Sequence, residues 1–87
     1  MVAWKILYEK RVQKDLDKLK KSNLEQNAKR LLDVLKKDPF YLPYEKLVGD
    51  LSGLYSRRIN IKHRLIYKVL KDENIIVVLA MWSHYEK

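Results

Sequence analysis

The chain has 87 residues and 47% hydrophobic content, enough for a single domain with one modest core and too apolar for a disordered segment. Nineteen basic and 11 acidic residues give a net charge of +8, a balance that suits nucleic acid or an acidic protein partner. The lack of cysteine excludes disulfides and thiolate sites, two histidines alone make a structural zinc site unexpected, and no apolar run approaches the ~20 residues that span a bilayer. The opening MVAWKILYEK has no signal-peptide core, so a cytoplasmic location with no membrane contact is expected.

In chain order, Val2 to Tyr8 alternates, with Val2, Trp4, Ile6 and Tyr8 on one side, and reads as a strand. From Glu9 the period changes. Val12, Leu16 and Leu19 share one helix face, and Lys18, Lys20 and Lys21 gather at its C-terminal end, where cations suit the helix dipole. Ser22-Asn23-Leu24-Glu25 has the form of a capping box and predicts the start of a second helix. Leu24, Ala28, Leu31, Leu32 and Leu35 form its apolar stripe, and Asp38-Pro39 stops it. Phe40 to Asp50 reads as a loop. Leu54 to Ile61 and Arg64 to Leu70 alternate as two strands, Lys71 to Asn74 is a polar turn, and Ile75 to Trp82 reads as a central strand covered on both faces. The order strand, helix, helix, strand, strand, strand predicts one α+β domain over residues 1–87, a largely antiparallel sheet with the helical hairpin on one face.

Charge is unevenly placed. Residues 1–37 hold 11 basic and 5 acidic residues, which reads first as a solvated helical surface. Residues 51–70 hold five cations (Arg57, Arg58, Lys62, Arg64 and Lys68) and no acid, so the hairpin is built to meet an anion, and a phosphate backbone is the commonest one. By alternation Arg58 lies with Ser56 and Asn60 on a side suited to an open face. Arg57 lies with Tyr55 and Ile59, on a side that suggests a structural role. His63 falls in the turn and reads as solvated; Lys62 and His63 are nonetheless candidate substrate contacts beside Arg57 and Arg58.

RNA cleavage without metal needs a base for the 2′-OH, cations for the charge on phosphorus and an acid for the departing 5′-oxygen. Glu45, Arg64 with Arg58, and His84 with Tyr85 are residues of the required types. Each also has a plainer reading: a loop carboxylate, surface arginines and a terminal imidazole.

The run YSRRINIKHRLIYKVL, with FYLPYEKLVGDLSG before it and MWSHYEK after it, resembles the YoeB/Txe toxins of the RelE-like superfamily of bacterial toxin–antitoxin systems. The likeness is specific from Asp38 to Tyr85; over residues 1–37 it rests on pattern and order. It implies a ribosome-dependent mRNA endoribonuclease that needs no cofactor and is neutralised by a cognate antitoxin with an acidic, partly disordered segment. A homodimer is left open. Carried over by position, the resemblance makes Glu45 the general base, Arg64 the phosphate-stabilising cation with Arg58 a second contact, His84 the general acid and Tyr85 its companion. This chain has Pro43-Tyr44-Glu45-Lys46 where many relatives have Pro-Glu-Pro, and it continues past Tyr85 with Glu86 and Lys87. Two readings of other classes stand beside the nuclease: a non-catalytic toxin of the same fold that acts by binding, as gyrase-directed relatives do, and a basic RNA- or ribosome-binding module.

Overall fold

The computed structural model describes residues 4–41, 43–47 and 53–83. The elements run β1 (Lys5–Tyr8), α1 (Val12–Lys21), α2 (Glu25–Lys37), β2 (Glu45–Lys46), β3 (Tyr55–Arg58), β4 (Arg64–Leu70) and β5 (Ile75–Ser83), with a short 3₁₀ turn at Lys71–Glu73. They form one five-stranded sheet in the order β1-β5-β4-β3-β2. Strands β2 to β5 pair antiparallel, and β1, brought back by the helical hairpin, pairs parallel with β5.

The α+β class and the order of the predicted elements are those of the structure. One strand was not expected: within the predicted loop, Glu45 and Lys46 pair with Ser56 and Tyr55. Two residues carry no readable period, so only the partner strand reveals them. The middle of the sheet is β4, with β5 beside it.

The junction between the helices also departs from expectation. Ser22 does not cap α2; it is the C-cap of α1, and no side chain caps the start of α2. Asn23 takes the left-handed conformation, φ 59°. Leu24 N–H then donates to Leu19 O at 2.9 Å and Asn23 N–H to Lys20 O at 3.3 Å. This is the Schellman ending of a helix, and asparagine is one of the few residues that enter it at little steric cost. The same four letters therefore close α1 instead of opening α2. At the other end of α2, Asp38 is extended (φ −161°, ψ 104°), as the residue before a proline must be.

Both helices cover one face of the sheet. Val12 and Leu19 of α1, Ala28 and Leu35 of α2, and Leu65, Tyr67, Ile76, Val78 and Met81 from the sheet form the main core, with Ile59. On the other face a small cluster of Leu47, Ile66 and Ala80 is partly covered by Leu54 and Leu79. Tyr67 is fully buried, and its hydroxyl donates to Pro39 O at 2.8 Å. Burial raises the Tyr67 phenol above 10.0, against the opposing pull of the Arg57 guanidinium.

The neutral phenol is thus the form the fold holds. Its stability contribution is complete below pH 10.0 and declines as pH rises toward the raised folded value, because only the unfolded chain ionises easily. Tyr67→Phe is expected to be less stable by about 1 kcal/mol near neutrality, from the lost hydrogen bond, and to lose less stability than the wild type above pH ~10. Urea unfolding on either side of that pH checks both signs.

Candidate active site

The arginine hairpin forms because β3 and β4 pair from Tyr55↔Tyr67 to Arg58↔Arg64. Asn60 builds its turn: its Oδ1 accepts Lys62 N–H at 2.9 Å and His63 N–H at 2.7 Å. Ile59 N–H donates to His63 O at 2.8 Å, so β3 ends at Arg58, short of the predicted Ile61. Ile61 is 87% exposed at the tip. Lys62 is exposed there too. His63, read from sequence as solvated, is buried and stacks on Trp82 at 3.7 Å between ring centroids. It belongs to the packing that holds the hairpin tip against β5. Neither Lys62 nor His63 lines the pocket described next.

Ser56, Arg58 and Arg64 occupy the sheet face opposite the helices, since Ser56 pairs with Ile66 and Arg58 with Arg64. Glu45 of β2 joins that row opposite Ser56. Arg64 Nη1 lies 3.0 Å from Glu45 Oε2 and donates to Ser56 Oγ at 3.3 Å. The Arg64 side chain is 15% exposed and that of Glu45 44%, so the carboxylate keeps an open edge while the guanidinium is held from behind. Arg58 is exposed beside them. All four residues line one pocket of about 270 Å³. An acceptor of protons and two guanidiniums at this spacing suit an anion next to a hydroxyl that must lose its proton.

Arg57 is not a surface cation. It is 3% exposed, on the helix side of the sheet. Its Nη1 donates to Pro43 O at 3.0 Å, and its Nη2 donates to Pro39 O at 3.2 Å and to Tyr41 O. The guanidinium also lies over the rings of Tyr44 (5.7 Å) and Tyr67 (6.0 Å). Arg57 therefore fastens Pro39, Tyr41 and Pro43, the last of them two residues before Glu45 enters β2. Its two Nη atoms are held by backbone carbonyls and its Nε has no hydrogen-bond partner among the described residues, so its burial and bonds favour the structural role over the substrate contact, although it lines the same pocket as Arg58 and Arg64. Alternation had placed it on the inner side, and that signal was sufficient.

His84 and Tyr85 lie outside the described residues. The strand that leads to them does not. Along the inner half of the β4–β5 ladder Leu70 faces Ile75 and Lys68 faces Val77; then the register slips twice, so that Ile66 faces Ala80 and Arg64 faces Ser83. The burial pattern records the slips: Leu79 and Ala80 both pack on the open-face cluster, and Met81 and Trp82 both pack on the main core. Uniform register would put Met81 opposite Arg64. The bulges put Ser83 there instead, one residue before His84. Asp15 of α1 supports this distortion, for its Oδ2 accepts Met81 N–H at 3.0 Å. Sequence reading missed both Asp15 and Ser56. Asp15 gives no signal because a bulge has no composition of its own; Ser56 shared the Arg58 face but was not singled out.

Residues 8–85 match the family model described as the YoeB-like toxin of bacterial type II toxin-antitoxin system. Toxin YoeB of Streptomyces coelicolor is 48% identical over 50 residues, which cover 55% of this chain and 60% of that protein. Toxin YoeB of Synechocystis is 35% identical over 77 residues, covering 86% of this chain and 80% of that protein. The chain thus spans less than two thirds of the first relative and four fifths of the second. Among solved structures, the YoeB/ParE toxin from Agrobacterium tumefaciens has a TM-score of 0.83 at 26% identity, covering 93% of this chain and 99% of its own. The YoeB-YefM complex from Staphylococcus aureus has a TM-score of 0.77 at 29% identity, covering 97% of this chain and 100% of its own.

Two substitutions test the supports described above. Arg57→Lys cannot span three carbonyls, and is expected to lower stability by about 2–3 kcal/mol in chemical denaturation. Asp15→Ala leaves the Met81 amide without its acceptor and is expected to cost about 1–3 kcal/mol, with faster hydrogen exchange at Met81; Asp15→Asn, which retains an acceptor oxygen, should be milder.

Proposed function

The chain belongs to the YoeB-like toxins of bacterial type II toxin–antitoxin systems, and from that premise we propose that it is an endoribonuclease that cleaves mRNA on the ribosome and so blocks translation. The observation that carries the reading is the Glu45–Arg64 pair on the open sheet face, 3.0 Å apart, with Arg58 beside it. In the proposed reaction Glu45 accepts the proton of a ribose 2′-OH. That oxygen attacks the adjacent phosphorus, and Arg64 and Arg58 neutralise the charge that builds on the phosphoryl oxygens. His84 donates a proton to the departing 5′-oxygen, with Tyr85 beside it. The bond to the 5′-oxygen breaks as the bond to the 2′-oxygen forms, leaving a 2′,3′-cyclic phosphate and a free 5′-hydroxyl. The nucleophile comes from RNA itself, which is why DNA would be inert.

The Glu45–Arg64 ion pair describes the site without RNA. In this reading a phosphate draws Arg64 toward itself and leaves Glu45 free to take the proton. The opposition of Ser83 to Arg64 supports the assignment of His84, because it starts the tail at the edge of the same site. The proposed partner is an antitoxin whose acidic segment covers the arginine face; a second copy of the chain is a further proposed partner. Action on ribosomes would place the protein in the cytoplasm.

In a translation reaction read by primer extension, Glu45→Ala and His84→Ala should each reduce mRNA cleavage by about 10² or more. Arg64→Lys should also be impaired, since a point charge replaces a planar fork. Full cleavage by both the Glu45 and His84 variants would end the assignment, and inhibition of DNA supercoiling without RNA cleavage would favour the binding-type toxin.

A further inference from the structure

The pocket at Glu45 extends beyond the groups that the proposed reaction uses. Besides Glu45, Ser56, Arg58 and Arg64, its lining takes in Leu31 and Val34 of helix α2 with Tyr41, Pro43 and Tyr44, and the inward Arg57. The first five of these added residues are apolar or aromatic, whereas the rest of the lining holds a carboxylate, a hydroxyl and three guanidiniums. Tyr44 is fixed, edge-on to Phe40 and Tyr55 and beneath Arg57. Tyr41 is different. It is 62% exposed, although it sits between buried Pro39 and half-buried Tyr44 in a segment clamped by Arg57. The backbone under it is thus held while its ring is left open, on the rim of the pocket. Val34 and Tyr41 also line an adjoining hollow of about 250 Å³ with Lys37 and Asp38. Lys37 and Asp38 bring one positive and one negative charge to that side, and the Asp38 carboxylate accepts the Phe40 N–H at 2.9 Å.

An exposed aromatic ring in a pocket that also holds guanidiniums matches the two parts of a nucleotide, a π-face and a phosphate joined through the sugar. We infer that the Tyr41–Leu31–Val34 end of the pocket is a nucleobase subsite, taking by stacking the base of a nucleotide adjacent to the phosphate held by Arg58 and Arg64. The inference rests on the nuclease reading for the position of that phosphate, but not for the stacking itself. An acidic protein segment would meet the same cations and is the competing occupant, against which the exposed, flat phenol ring of Tyr41 favours a base. Base stacking on an aromatic side chain tolerates any base, with purines favoured by their larger faces. Tyr41 is therefore a binding residue and takes no part in proton transfer.

The probe is a short 2′-deoxy oligonucleotide, which lacks the attacking hydroxyl, together with the same strand carrying one abasic position moved along it in turn. Affinity is read by anisotropy, and the methyl signals of Leu31 and Val34 by NMR, on the full chain. At one abasic position affinity should fall by about tenfold, and Tyr41→Ala should cost a similar factor. The two losses should not add, because both remove the same contact. Tyr41→Phe should bind as the wild type does, and the exposure of the ring makes both variants safe for folding. Equal losses from Tyr41→Ala on intact and abasic strands would overturn the subsite. So would Leu31 and Val34 signals that move with an acidic peptide and not with the oligonucleotide. If the coupling is found in a protein that cleaves no RNA, the subsite stands and the nuclease reading falls; if Tyr41→Ala cleaves RNA with unchanged affinity, the reverse holds.

Discussion

The guanidinium of Arg57 ties together three backbone carbonyls of the segment 39–44 and lies against the rings of Tyr44 and Tyr67. A buried cation is costly unless its donors find partners, and here both Nη atoms find them in the carbonyls of Pro39, Tyr41 and Pro43, between α2 and β2. The consequence reaches the open face. Glu45 follows that segment directly, and its place opposite Ser56 fixes its distance to Arg64. A carboxylate on an otherwise irregular connection thereby acquires the fixed placement of a strand residue. Tyr67 reinforces the arrangement from the core, since Pro39 O accepts both its hydroxyl and Arg57.

The position of the end of β5 beside Arg64 depends on a second device. Strand β5 enters the sheet in register with β4 and leaves it displaced by two residues, with the Asp15 carboxylate holding the Met81 amide where the ladder is broken. Bulges of this kind re-aim a strand end at modest cost when the freed backbone groups are satisfied. Both supports come from behind: Arg57 from the helix face, Asp15 from α1 itself. The helical hairpin is thus more than a lid on the core, because its first helix sets where β5 ends relative to Arg64.

The two halves of the pocket divide the work in the proposed function. The polar half holds groups for proton transfer and charge stabilisation, and the aromatic half holds surface for stacking. Both are built on the same clamped segment, which supplies Glu45 at one end and Tyr41 at the other. Disturbing the clamp would therefore affect chemistry and binding together, whereas a change at Tyr41 alone would touch only binding.

Much of this was legible in the chain itself. The period of two in Arg64 to Leu70 and the period of 3.6 around Val12 and Leu35 fixed strands and helices, because burial of one face demands those spacings. The same alternation put Arg57 inward and Arg58 outward, and the Asp38-Pro39 step ended α2. The arginine-rich hairpin and the resemblance over residues 38–85 pointed to Glu45 and Arg64. Other features belong to the folded molecule. The two-residue strand β2, the Schellman ending at Asn23, the burial of His63 on Trp82 and the bulges held by Asp15 depend on partners distant in sequence. Local periodicity reports how a segment repeats along itself; a register shift, a clamp of three carbonyls or an ion pair across strands exists only once separate segments are brought to one place, and no single segment records it.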